Sequence, residues 1–85
     1  GPVDACYKAI EKITGIKAKL LDYSIQAITR GKDALGEVNV KLKIKKDEIQ
    51  ARAASTDIIE ASAKAYLNGI NRVLFKTKKA KSIHL

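Results

Sequence analysis

The stretch ALGEVNVKLKIK, residues 34–45, alternates without a break. Val38, Val40, Leu42 and Ile44 fall on one parity; Glu37, Asn39, Lys41, Lys43 and Lys45 fall on the other. Side chains of a strand alternate between faces, so this period of two predicts a strand with one apolar and one wet face. Such a strand is stable only inside a sheet whose apolar face is covered. In a chain of 85 residues that means one small domain with helices laid on one face of an antiparallel sheet.

The flanking segments supply the other parts. Val3, Cys6, Ile10 and Ile13 recur at helical spacing, with Pro2 suited to a first turn, Asp4 near the helix N-terminus and Gly15 as the stop. This predicts a helix over 3–14. In IKAKLLDYSIQAI the parity changes: Ile16, Ala18 and Leu20 align first, then Leu21, Tyr23, Ile25 and Ala27. A double leucine at the switch predicts a strand over about 16–28 that carries a bulge. TRGKD is a turn centred on Gly31, and a second strand follows over 36–45. Lys46-Asp47 is expected to turn into a third strand over 48–53, with Ile49, Ala51 and Ala53 inward.

The segment after Ala54 predicts a second helix over 56–75, capped by Ser55, Thr56 or Asp57, with Glu60 at capping-box spacing from Asp57. Ile59, Ala63, Tyr66, Leu67, Ile70 and Leu74 are its expected packing stripe, and Gly69 is expected to permit a close contact. The order α-β-β-β-α gives an α+β fold: a three-stranded antiparallel sheet with helices on one face. Residues 76–85 read as a solvated basic tail.

The two helices also resemble each other. VDACYKAI (3–10) aligns with IEASAKAY (59–66) at an offset of 56, with Ala5/Ala61, Lys8/Lys64 and Ala9/Ala65 identical. A β-β-β-α repeat explains this, with residues 16–74 as one whole unit and the helix at 3–14 closing an earlier one. Gly1 is then expected to be a midpoint.

The net charge of +8 invites a nucleic-acid reading, but Arg72, Lys76, Lys78, Lys79 and Lys81 supply five of those charges and leave residues 1–71 at +3. The element order is also that of double-stranded-RNA-binding domains. Those need cations where the second helix begins, and here Asp57 and Glu60 stand there, which argues against a nucleic-acid partner. No apolar run approaches a membrane span and no secretory signal is visible. The lone Cys6 reads as a buried reduced thiol, in keeping with the cytoplasm. His84 is the only histidine, so neither a metal cluster nor a Ser-His-Asp set can be assembled, and no phosphate-binding glycine motif occurs. Asp22, Asp33, Glu37, Asp47 and Glu48 fall at turns or on wet faces. No catalysis and no cofactor are expected of this chain.

What remains is a binding function. Gly1-Pro2 opens a helix whose free N–H groups can receive a carboxylate. Asp4 can meet an ammonium group, or simply complement the helix dipole. Leu20, Tyr23 and Ala27 on the following strand are walls for a small aliphatic ligand, or ordinary core.

GPVDACYKAI, LLDYSIQAITRGKDALGEV and STDIIEASAKAYLNGINR together resemble the C-terminal regulatory domain of 2-isopropylmalate synthase, and the related domain of citramalate synthase, over residues 1 to about 73. The resemblance implies a domain of two β-β-β-α units, paired in a homodimer. It would bind the end product, leucine or isoleucine respectively, and inhibit a separate barrel-shaped catalytic domain that condenses acetyl-CoA with a 2-oxo acid. It also implies that strands and an inhibitor loop precede Gly1. By this resemblance the effector site includes Gly1, Pro2, Val3 and Asp4 at the helix start, and Leu20, Tyr23 and Ala27 on the pocket strand. QARAAST lacks the glycine of the family's G-R-G turn. A dimerisation module without a ligand site is the alternative.

Overall fold

The computed structural model describes residues 1–83, with side chains through residue 76. Five elements follow in the expected order: α1 (Pro2–Thr14), β1 (Lys19–Arg30), β2 (Asp33–Ile44), β3 (Asp47–Ser55) and α2 (Ile58–Ile83). The strands form one antiparallel sheet in the order β1-β2-β3.

The alternation of β2 is realised as read. Val38, Val40, Leu42 and Ile44 are buried, and their neighbours face outward. Ile49 and Ala51 of β3 join them, with Ala53 packed against the rim of the core. The parity switch in β1 is a bulge: the register shifts between Leu20 and Asp22, so Leu20 opposes Leu42 while Tyr23, Ile25 and Ala27 oppose Val40, Val38 and Gly36. β1 begins at Lys19, so Ile16 and Ala18 lie before the strand rather than in it. The first hairpin turns at Gly31 between paired Arg30 and Asp33. The second turns at Lys45-Lys46, one residue earlier than expected, because Ile44 pairs with Asp47; Lys45 adopts φ 56° there.

α2 differs from its expected stripe. Ala61, Ser62, Ala65, Tyr66, Gly69 and Ile70 face the sheet, whereas Ile59, Leu67 and Leu74 are partly exposed. Small residues win this face because the helix lies close to the strands. A Cβ on Gly69 would stand 2.7 Å from Leu42 Cδ1. Asp57 is the cap: its Oδ1 accepts the Ile59 and Glu60 amides at 2.8 and 3.3 Å. Glu60 does not complete a capping box. It pairs with Lys64 at 2.7 Å, and the Asp57 amide is taken by Ser55 Oγ. The backbone of α2 stays helical to Ile83, so residues 76–83 extend the helix where a separate tail was expected; His84 lies outside the described residues.

α1 stops at Gly15, which takes φ 70° and donates to the Glu11 carbonyl. Its buried residue is Tyr7, while Ile13 is 83% exposed and leaves the predicted core face. α1 packs on α2 and not on the sheet, so its inward face is set by that helix pair.

Candidate functional site

Because α1 leans on α2, it stands away from β1, and a cavity of about 480 Å³ remains between them. That size falls in the ordinary range for small-molecule sites. Val3, Asp4, Tyr7, Lys8 and Glu11 of α1 form one side. Leu20 and Tyr23 of β1 form the other, with Ala18 and Tyr66 between.

Three phenols hold the walls. The rings of Tyr7 and Tyr66 stack with centroids 4.2 Å apart and 23° between planes. Tyr7 Oη donates to the Ser62 carbonyl at 3.0 Å, and Tyr66 Oη to the Ala18 carbonyl at 3.4 Å. Tyr23 Oη shares a 2.6 Å hydrogen bond with Ser62 Oγ. Ser62 is fully buried, yet both its hydroxyl and its carbonyl are satisfied, one from β1 and one from α1. A buried polar group in an apolar layer is tolerated on that condition. Burial, with Tyr23 nearby as a lesser cause, pushes the Tyr7 hydroxyl well above its ordinary range. Burial likewise raises Tyr66, with Glu11 adding to it. Both phenols therefore stay neutral and act as donors.

The polar groups sit at the rim. Asp4 is exposed and pairs with Lys8 at 3.2 Å, one turn on. Glu11 is half-buried. The walls are aromatic and aliphatic, the rim offers carboxylates and one ammonium, and the α1 N-terminus has no side-chain cap. Such a site suits a small zwitterion with an apolar side chain: its ammonium group can exchange with Lys8 at a carboxylate while its side chain enters the walls. Among the described residues there is no group of His, Cys, Asp and Glu suited to a metal, and no helix is long and apolar enough to cross a membrane.

Of the seven residues proposed from the sequence, Val3, Asp4, Leu20 and Tyr23 line this one cavity. Gly1 and Pro2 are exposed at the α1 N-terminus beside it, outside its lining. Ala27 lies further along β1, exposed opposite Gly36. Sequence reasoning missed Tyr7, Lys8, Glu11, Ala18 and Tyr66 as wall residues. The signal for three of them was available: Tyr7, Lys8 and Glu11 continue from Asp4 at helical spacings of three, four and seven.

Comparison with known proteins adds the family. The model of the LeuA allosteric (dimerisation) domain matches residues 1–74. The 2-isopropylmalate synthases of Carboxydothermus hydrogenoformans, Ruminiclostridium cellulolyticum and Heliobacterium modesticaldum are 66%, 57% and 57% identical over 76, 72 and 75 residues. These matches take in 85–88% of this chain but only 14–15% of each relative. No solved structure gives a significant match. A buried β-β-β-α unit, a second helix leaning on it and a family match across nearly the whole chain agree: the chain belongs to the LeuA allosteric (dimerisation) domain family.

Proposed function

We propose that this domain is the effector sensor of a 2-isopropylmalate synthase, and that the α1–β1 cavity takes leucine. The observation that carries the reading is the cavity itself: apolar walls from Leu20, Tyr23 and Tyr66, with the Asp4 carboxylate at the mouth. The relatives' shared name supports leucine over isoleucine, the effector that a citramalate synthase domain would take.

Feedback requires that the amino acid bind one state of the protein better than another. Two links make α1 the element to move. It reaches α2 through Tyr7 and Ser62, and β1 reaches the same serine through Tyr23. Occupancy of the cavity thus changes how helix pair and strand are braced. A separate catalytic domain, cytoplasmic and dependent on acetyl-CoA, would read that change in the whole enzyme. The domain itself has no catalytic task in this reading.

Isothermal titration with leucine and with isoleucine tests the proposal. Leucine is expected to bind the tighter, and Leu20→Ala and Asp4→Asn are each expected to weaken it by about tenfold or more, the order lost with one apolar wall or one charge-assisted bond. Absence of heat with both amino acids at millimolar concentration would leave the alternative, a dimerisation module without a ligand site.

A further inference from the structure

Ser62 is the polar side chain buried in the core among the described residues, with no exposed surface. A serine inside a helix ordinarily turns its hydroxyl back to the carbonyl four residues earlier. Ser62 reaches outward instead: its hydroxyl meets Tyr23 Oη of β1 at 2.6 Å. The backbone of β1 comes close to neither helix, so this bond crosses a gap that only side chains can bridge. The link on the other side of the cavity is of another kind. Tyr7 of α1 donates to the main-chain carbonyl of Ser62, a bond that loss of the serine hydroxyl does not itself remove.

The direction of the Tyr23–Ser62 bond follows from burial. Two hydroxyls carry two protons, and one of these lies between the oxygens. If Tyr23 supplied it, the Ser62 proton would be left in a fully buried place with no acceptor among the described residues. An unmade bond of that kind is costly. Tyr23 is only half-buried and lines the cavity, so its own proton can turn toward that space. Ser62 is therefore the donor and Tyr23 Oη the acceptor.

We propose that Ser62 is a positioning residue of the effector site: by donating to Tyr23 Oη it fixes the Tyr23 ring as the strand wall of the cavity. Ser62 is not part of the cavity lining, so it acts on a ligand through Tyr23. Its effect on leucine affinity rests on the effector reading; its hold on the Tyr23 ring does not. The direction of the bond makes the two partners unequal. Tyr23→Phe strands a buried donor, whereas Ser62→Ala leaves a phenol that can turn into the cavity. Removing both hydroxyls strands nothing, so the double variant regains part of what Tyr23→Phe loses.

The test compares Ser62→Ala, Tyr23→Phe and the double variant with the parent chain, each checked for folding by far-UV circular dichroism. Near-ultraviolet dichroism of the tyrosines reads how firmly the rings are held. Tyr23→Phe defines the share that belongs to Tyr23, and Ser62→Ala is expected to lose most of that share with every tyrosine still present. The urea midpoint is expected to be lowest for Tyr23→Phe, with the double variant above it. Leucine titration is expected to show binding weakened about fivefold by either single change, the equivalent of one neutral hydrogen bond, and no further by both. A Ser62→Ala chain with the spectrum of the parent overturns the proposal. So does a double variant less stable than Tyr23→Phe, or leucine binding to Ser62→Ala as tightly as to the parent. A parent that binds no leucine removes the effector reading instead, and the spectrum and midpoints still decide whether Ser62 holds Tyr23.

Discussion

The two halves of this small domain are built to different standards. Where α2 lies on β2 and β3, the core is closed: Val38, Leu42, Ala61, Ala65 and Ile70 are all buried to 1% exposure or less. Where α1 faces β1, no such closure exists. Leu20, Leu21 and Ile25 keep 39–49% of their surface exposed, and a cavity separates helix from strand. The difference teaches which half holds the fold and which half the proposed effector reading uses. The closed half can hold the fold, which in the proposed reading leaves the open half free to admit a ligand. Local stability that varies within one domain is the usual basis for elements that respond to binding.

Substitutions in matched pairs test this division. Leu42→Ala on the closed side should cost about 3 kcal/mol in a urea denaturation, the middle of the range for a fully buried leucine. Leu20→Ala on the open side should cost roughly 1 kcal/mol or less, because much of its side chain is already in water. Equal costs would erase the contrast.

The next effect down joins the halves. Tyr7→Phe removes the hydrogen bond to the Ser62 carbonyl and should cost about 1–1.5 kcal/mol. It should also change the response to alkali. The folded state holds the Tyr7 proton more tightly than the unfolded chain, whose tyrosines titrate near 10.0. That contribution is complete below pH 10.0 and declines as the pH rises above it. The stability of Tyr7→Phe should therefore fall less steeply between pH 10 and 12 than that of the parent, measured by urea midpoints.

The helix starts give a smaller contrast. α2 is capped by Asp57, whereas Gly1 offers α1 no side chain. Asp57→Ala should cost about 1 kcal/mol, and Gly1→Ser should alter stability by only a few tenths. The two hairpins reverse the pattern and come last. The open-side turn has Gly31 at φ 59°, but the closed-side turn holds Lys45 at φ 56°. Lys45→Gly should raise the thermal midpoint, by an energy of about 0.5–1 kcal/mol, since glycine takes that conformation freely.

The same division separates what was legible in the sequence from what was not. Strand faces, the bulge at the double leucine, Gly15 as a stop and the close approach at Gly69 were readable because each is a local pattern with one steric cause. The face of α2 was misjudged for a physical reason. Hydrophobic ranking favours Ile59, Leu67 and Leu74, but a helix pressed onto a sheet needs Ala61, Ala65 and Gly69 beneath it. Ile13 went wrong because α1 turns toward α2, a choice no local pattern records. The cavity was half legible. Val3, Asp4, Leu20 and Tyr23 lie on two consecutive elements and come together through a short connection. Tyr7, Ser62 and Tyr66 meet only through the packing of helices 55 residues apart in the chain, which periodicity along one element cannot show.

The phenols around the cavity have an optical consequence. The chain contains three tyrosines and no tryptophan, and all three tyrosines line the cavity. Its near-ultraviolet absorption, dichroism and emission above the weak phenylalanine band therefore come from that one place. A change in the unlabelled spectrum reports on the space between α1 and β1 and on nothing else, so the domain carries its own indicator.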